Sequence, residues 1–144
     1  MQTTDKILSI LNSMTVGTDP SLKTVLYESS FGANIRLDRN PDPAAILYLI
    51  ESWTLDTTTN LKHKSVDVEV FFCKRFDIAS KGEVVKQVMD SIEPIIDEFV
   101  SMLLSDKTLI VTEIKASSAY GRFDCNVCGY SLQFTVTDKQ GICL

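Results

Sequence analysis

Residues 82–104, GEVVKQVMDSIEPIIDEFVSMLL, are the stretch that decides the fold. Apolar side chains recur there every three or four residues, which is the spacing of one face of an α-helix. Polar and acidic residues fill the opposite side. Ser80 and Glu83 have the spacing of a capping box, so we expect the helix to begin near Lys81. The apolar face comprises Val85, Val88, Ile92, Ile95, Phe99 and Leu103.

Pro94 interrupts this helical pattern. Proline cannot donate the backbone hydrogen bond to Asp90, and it disfavours helical angles at Glu93. A kink or two abutting helices would each accommodate it. Because the apolar face continues in phase on both sides, we expect one helix that bends at Pro94.

Alternating apolar and polar residues predict strands on both sides of this helix. A short helix capped by Thr4 is expected to precede them. Gly129 indicates a bulge or a close backbone approach in the last strand. The order α-β-β-β-α-β-β predicts an α+β fold, in which an antiparallel sheet with a long β-hairpin carries both helices on one face. The predicted strands are 23–29, 44–55, 65–76, 108–115 and 123–137, with a turn or bulge over 116–121.

Length and composition limit the possible functions. The chain has 144 residues, which we interpret as one domain over 1–144, with 138–144 a loose or partner-contacting tail. Its net charge of −5 argues against tight nucleic-acid binding, because phosphate contacts need clustered lysine and arginine. The sequence has no apolar run of membrane-spanning length and no recognisable secretory signal, so we expect no membrane partner.

Few residues suggest metal or catalytic chemistry. Cys125 and Cys128 have half of a zinc or redox spacing, but residues three apart in a strand point to opposite faces. The remaining cysteines, Cys73 and Cys143, are single, and His63 lies in a polar loop without a nucleophile motif nearby. We therefore interpret the cysteines as ordinary thiols and His63 as a surface residue. No catalytic residue, cofactor or metal is expected, and the chain is not expected to be an enzyme.

Three segments together resemble a known group of proteins. They are Val66–Phe72, the helix 84–104 with Asp97-Glu98-Phe99-Val100, and the region from Tyr120-Gly121-Arg122-Phe123-Asp124 to Gly129-Tyr130-Ser131-Leu132-Gln133-Phe134. Their layout resembles the small neck and tail-terminator (tail-completion) ring proteins of tailed bacteriophages, including the neck ring proteins of crAss-like phages. The likeness covers most of residues 1–137.

This resemblance implies a structural virion protein that is assembled in the host cytoplasm. About six or twelve copies would form a ring in the neck or at the head-proximal end of the tail. The ring would contact the portal, other neck proteins and tail proteins, and DNA would pass through its lumen without specific binding. The acidic balance suits such a channel because carboxylates repel phosphate.

Two sets of residues are candidates for contacts in such a ring. The loop 56–64 and the strand 65–73 form the predicted contact arm. Asp67 and Glu69 also fit the wet side of a half-buried strand, and Phe71 fits the core as well as an interface. The interface candidates are His63, Asp67, Glu69 and Phe71, and the candidate channel or interface acids are Asp90, Glu93 and Asp97.

A second class of function also fits the sequence. A small cytosolic ligand- or protein-binding module without catalytic activity would have the same composition and element order. It would need a preformed apolar cavity with a few convergent polar groups.

Overall fold

The computed structural model describes residues 2–28, 43–48, 53–57, 61–75, 82–120, 127–138 and 142–143. The predicted α+β class and element order are confirmed, and the predicted strand 44–55 is described as two strands on either side of 49–52. The described helices are α1 (Gln2–Ser13) and α2 (Gly82–Ser105). The described strands are β1 (Thr24–Glu28), β2 (Ala44–Tyr48), β3 (Trp53–Asp56), β4 (Leu61–Arg75), β5 (Leu109–Tyr120), β6 (Val127–Asp138) and β7 (Ile142–Cys143).

Strand β4 is the centre of the sheet, whose order is β1-β2-β4-β6-β5. One edge of β4 pairs with β6 from Ser65 to Arg75. Its other edge pairs with β3 over 63–66 and with β2 over 70–73. β4 is therefore an interior strand over most of its length.

The sheet is antiparallel except at β1 and β2, which pair in parallel. The sequence had predicted an antiparallel sheet throughout. Parallel neighbours need a crossover connection of about a dozen residues or more, and the segment 29–43 between these strands is long enough to provide one. A connection of this length permits the parallel pairing, which the alternation of residues within the two strands does not specify.

The main core lies between the helices and one face of the sheet, as the sequence predicted. The Phe99 ring is centred 5.3 Å from that of Phe72 and 6.3 Å from that of Phe134, in tilted arrangements typical of aromatic packing. Both helices contribute apolar side chains because their spacing places one stripe toward the sheet. The buried helical residues are Ile7 and Leu11 of α1 and Met89, Ile92, Ile95, Phe99 and Leu103 of α2.

Pro94 lies inside α2, which runs without interruption from Gly82 to Ser105. The prediction of one helix rather than two is confirmed. Pro94 and Asp90 are both exposed, so the carbonyl of Asp90 that lacks a helical donor lies on the solvent side. Ser80, the predicted cap, lies outside the described residues.

The start of α1 differs from the sequence prediction. The helix begins at Gln2, so Thr4 lies in its first turn rather than at the cap. Thr4 is buried, and its Oγ1 has no hydrogen-bond partner within the described part of the chain. The capping role predicted for Thr4 is therefore wrong.

The C-terminal segment is paired at two residues. Ile142 and Cys143 form β7, which pairs with Lys62 and Leu61 at the start of β4. The sequence had predicted a loose or partner-contacting tail over 138–144. At these two residues the segment is instead a strand of the same chain.

The turn from α2 to β5 is closed by Asp106. Its Oδ1 accepts hydrogen bonds from the backbone N–H of Thr108 at 2.9 Å and from Thr108 Oγ1 at 2.6 Å. Lys6 Nζ of α1 donates to the same hydroxyl at 2.9 Å. The turn thus also holds α1 against the end of α2, and the two hydrogen bonds from Thr108 lower the pKa of Asp106.

We expect the Asp106→Asn variant to lose less stability than the wild-type chain when the pH is lowered. A carboxyl group whose pKa is lower in the folded chain stabilises the fold above its ordinary pKa, 3.8, and this contribution is lost as pH falls through the folded-state value. Because Asp106 is solvent-accessible, the effect is no more than about 1 kcal/mol. Chemical denaturation at neutral pH and near pH 3 would measure it. An identical loss of stability on acidification in both proteins would contradict the prediction.

Candidate interaction surfaces

The sheet face opposite the helices is polar over β4 and β6. Alternate residues of the two strands point to this side, because side chains alternate along a strand. Carboxylates and hydroxyls meet there in cross-strand pairs, which we call the hydroxyl–carboxylate ladder. Its contacts are Ser65 Oγ with Thr137 Oγ1 at 2.8 Å, Thr135 Oγ1 donating to Asp67 Oδ1 at 2.8 Å, and Ser131 Oγ donating to Glu69 Oε1 at 3.1 Å.

The ladder brings together two of the predicted interface residues. Asp67 is exposed and Glu69 is half-buried, and both accept hydrogen bonds from β6. This arrangement matches the alternative that they form the wet side of a strand. The ladder thus places both carboxylates among the hydroxyl groups of Ser131 and Thr135.

Phe71 does not belong to this exposed surface. Its exposed fraction is 0%, and it packs in a second apolar cluster on the ladder side of the sheet, near β2. Its register partner is Ile46, whose strand is apolar on both faces. The prediction of an exposed interface side chain at Phe71 is therefore wrong, and the core alternative holds. The other buried members are Leu26, Ala44, Ile46, Cys73 and Val127.

The predicted contact arm is also placed differently. Strand 65–73 lies inside β4, whose edges are occupied by β6 on one side and mostly by β2 and β3 on the other. Strand 65–73 therefore has no unpaired edge as long as the predicted contact arm with which it could pair with a neighbouring subunit. The loop is shorter than predicted, because Asp56 and His63 already pair within the β3–β4 hairpin. The His63 side chain and residues 58–60 lie outside what the structure describes.

The three candidate acids of α2 are exposed, on the side of the sheet opposite the ladder. Asp90 pairs with Lys86 at 2.9 Å, one helical turn away. Glu93 Oε1 accepts a hydrogen bond from Tyr130 Oη at 3.3 Å. Asp97 is exposed on the same helix. The two predicted sets of acids thus lie on different faces of the molecule.

Tyr130 links this helix to β6 and has a perturbed pKa. Burial is the main cause of the rise in the pKa of its phenol, and the negative charge of Glu93 adds to it. On α2 itself, the hydrogen bond to Asp90 raises the pKa of Lys86. Asp90 and Glu93 therefore already interact with groups of their own chain.

We expect Glu93→Gln to lower the pKa of Tyr130 toward its ordinary value, because the substitution removes a nearby negative charge. Some elevation should remain, since burial is the larger cause. An NMR pH titration of the Tyr130 ring would measure this. Glu98→Gln is the matched control, because Glu98 instead accepts a hydrogen bond from Ser21. An unchanged Tyr130 pKa in Glu93→Gln would refute the electrostatic link.

The exposed edge of β5 was missed at the sequence level. The strand extends to Tyr120, whereas a turn or bulge was predicted over 116–121. Among the described elements β5 pairs only with β6, and Ala116, Ser117 and Ser118 are exposed. Residues 116–119 contain no glycine, proline, asparagine or aspartate, but their two serines are also common in turns, so the local sequence does not by itself identify the strand.

A second exposed feature lies on β3. The exposed fraction of Trp53 is 52%, and Lys64 Nζ lies 3.9 Å from the centre of its ring. This distance is that of a cation–π contact. The contact holds the aromatic ring against the hairpin while leaving much of it open to solvent.

The cysteines show no arrangement for chemistry where they are described. Cys73 and Cys128 are buried, and burial raises the pKa of the Cys128 thiol, which makes it a poorer nucleophile. Cys125 lies outside the described residues. Within the described ranges, no three His, Cys, Asp or Glu residues cluster closely enough to hold a metal ion.

Neither described helix combines the length and the apolar character needed to cross a membrane. Comparison with models of known protein families gives no match for this chain. Comparison with curated protein sequences gives none either. The sheet edges, the ladder and the α2 acids are therefore the features on which a functional account has to rest.

Proposed function

We propose that this protein is a structural virion protein of a tailed bacteriophage. Copies of it form a ring in the neck or at the head-proximal end of the tail, where the ring joins portal to tail and lines the DNA channel. In this role the protein has no catalytic activity and needs no cofactor. It is assembled in the host cytoplasm and resides in the virion.

The observation that carries the proposal is the exposed strand at each end of the sheet. β5 ends one side and β1 ends the other, and neither has a second strand partner among the described elements. Edge strands offer unpaired backbone donors and acceptors to another chain. A subunit with two different contact surfaces can assemble head to tail, which gives a closed ring when the rotation closes.

The charge distribution supports a channel that does not retain DNA. The net charge is −5, and the hydroxyl–carboxylate ladder places two of the carboxylates on the sheet face opposite the helices. Negative surfaces repel phosphate, so DNA slides past without capture. The α2 acids would do the same if that side lined the lumen.

Electron microscopy of the purified chain, alone and mixed with the portal or tail-tube protein of the same phage, tests the proposal. We expect ring-shaped particles in at least one of these samples. Particles of monomer size in every sample, together with no binding to either partner protein, would overturn it.

A further inference from the structure

The two edge strands of the sheet, β1 and β5, are connected by continuous rows of register partners. Tyr27 of β1 pairs with Leu47 of β2, which pairs with Val70 of β4. On the other side of β4, Val70 pairs with Leu132 of β6, which pairs with Ala116 of β5. Tyr27 and Ala116 therefore lie on one line across the sheet. A second copy displaced sideways along this line would bring its Tyr27 beside Ala116 of the first.

The strand directions are also compatible. β2 is antiparallel to β4, and β1 is parallel to β2, so β1 runs opposite to β4. β5 and β4 are each antiparallel to β6, so β5 runs with β4. A ring needs each copy to be rotated relative to the last, and a rotation about an axis parallel to the strands leaves the strand directions unchanged. In that arrangement β1 of the second copy meets β5 as an antiparallel neighbour. In this pairing the hydrogen bonds are perpendicular to the strands and alternate between closely and widely spaced pairs.

Side-chain size and charge fit this contact. Tyr27 lies on the helix side of the sheet with an exposed fraction of 40%, while Ala116 and Ser118 of the opposite edge are small and exposed on the same side. When the second copy is placed so that these rows continue into it, Tyr27 is opposite Ala116 and Val25 is opposite Ser118. Neither Val25–Tyr27 nor Ala116–Ser118 contains a charge or a proline, which are the usual devices that block an edge strand.

The regular part of the β5 edge has a defined beginning. The pairing of β5 with β6 shifts register between Thr112 and Lys115, and Glu113 has a φ of 41°. A bulge of this kind bends the strand and discourages pairing at that point. The stretch available to a second strand is therefore the one that follows Lys115, at the level of β1.

We propose that β5 of one copy pairs antiparallel with β1 of a second copy, with Tyr27 opposite Ala116 and Val25 opposite Ser118. This inference deepens the proposed ring and rests on it, because a head-to-tail contact repeats until the ring closes. The two surfaces differ, so each copy uses β5 toward one neighbour and β1 toward the other. Tyr27 supplies the large aromatic group of the contact, and the small residues of β5 let the strands approach.

Thiol crosslinking of mixed single variants tests the pairing. One preparation carries Tyr27→Cys and the other Ala116→Cys, and a short bifunctional thiol reagent is added to each alone and to the mixture. Covalent dimer is expected in the mixture above the level in either preparation alone, which also measures the background from the native cysteines. The matched control replaces Ala116→Cys by Thr112→Cys, an exposed position before the bulge, and should stay at background.

A second variant checks assembly without any crosslinker. Ala116→Lys places a charged side chain on the contact, whereas Thr112→Lys places the same group on the exposed strand outside it. We expect loss of assembly with the first and retention with the second. Rings that persist in Ala116→Lys, or crosslinking that stays at background in the mixture of Tyr27→Cys and Ala116→Cys although rings form, would overturn the β5–β1 contact and leave the proposed ring standing. Wild-type chain that never assembles, with or without portal or tail-tube protein, would overturn both.

Discussion

Replacing Gly129 by alanine is expected to destabilise the fold by about 3 kcal/mol. A Cβ atom at this position would lie 1.8 Å from the carbonyl oxygen of Phe72 and 2.9 Å from Cα of Cys73. Both atoms belong to the backbone of β4, so no side-chain rotation relieves the overlap. The two central strands of the sheet would have to separate locally, and their hydrogen bonds would lengthen.

Urea denaturation of Gly129→Ala beside Gly82→Ala measures this effect. Gly82 is the first residue of α2, and a Cβ there would meet no heavy atom within 4 Å. Alanine at Gly82 should leave stability unchanged or raise it by about 0.5 kcal/mol, because it restricts the unfolded chain. Equal unfolding midpoints for the two variants would show that β4 and β6 do not approach as closely as described.

Truncating Phe99 to alanine should cost about 3–5 kcal/mol. Phe99 is fully buried between Phe72 of β4 and Phe134 of β6, and it joins α2 to both strands. The loss combines removed apolar contacts, a cavity and two aromatic interactions. A domain of this size has a total stability of roughly 5–15 kcal/mol, so the variant should be close to unfolding at room temperature.

Leu104→Ala is the control for the helix, because Leu104 is 61% exposed five residues further along α2. We expect a change within about 0.5 kcal/mol for this variant. Phe99→Leu, which keeps most of the buried volume, should fold and show an intermediate loss. If Phe99→Ala lost less than about 1 kcal/mol, α2 would not pack on the sheet through this residue.

The helices and strands were predictable where apolar residues recur at the regular spacing of a helix or a strand. In α2 the spacing of Ile92, Ile95, Phe99 and Leu103 specified both the helix and its buried face, and it outweighed Pro94 because that residue lies on the solvent side. In β4 the alternation from Val66 to Val70 specified the strand and the face that meets the helices. Gly129 signalled a close backbone approach, which the contact with Phe72 confirms.

Other features depended on neighbours that local patterns do not specify. Phe71 alternates with core residues and so looked exposed, but Ile46 and Leu26 from distant segments form a second cluster around it. The parallel pairing of β1 with β2 is not specified by the composition of either strand. The strand residues Ala116, Ser117 and Ser118 carry little β-propensity of their own, and pairing with β6 holds them in the sheet.

The sequence allowed us to predict which residue types the candidate surfaces contain, but not which of these residues lie together in the fold. The sequence indicated that Asp67 and Glu69 share a strand face, and the structure adds the hydroxyls of β6 that hold them. It could not indicate that the acids of α2 lie on the other side of the sheet, because that follows from the packing of the helix. The exposed edges of β1 and β5 required the complete strand order.

The central claim is that copies of this chain assemble head to tail into a closed ring. Native mass spectrometry of the full chain, over a range of protein concentrations and with the portal or tail-tube protein of the same phage added, tests it most directly. The account predicts one dominant oligomer of fixed copy number, about six or twelve, without a ladder of larger species. A monomer at every concentration, with and without the added protein, would contradict it.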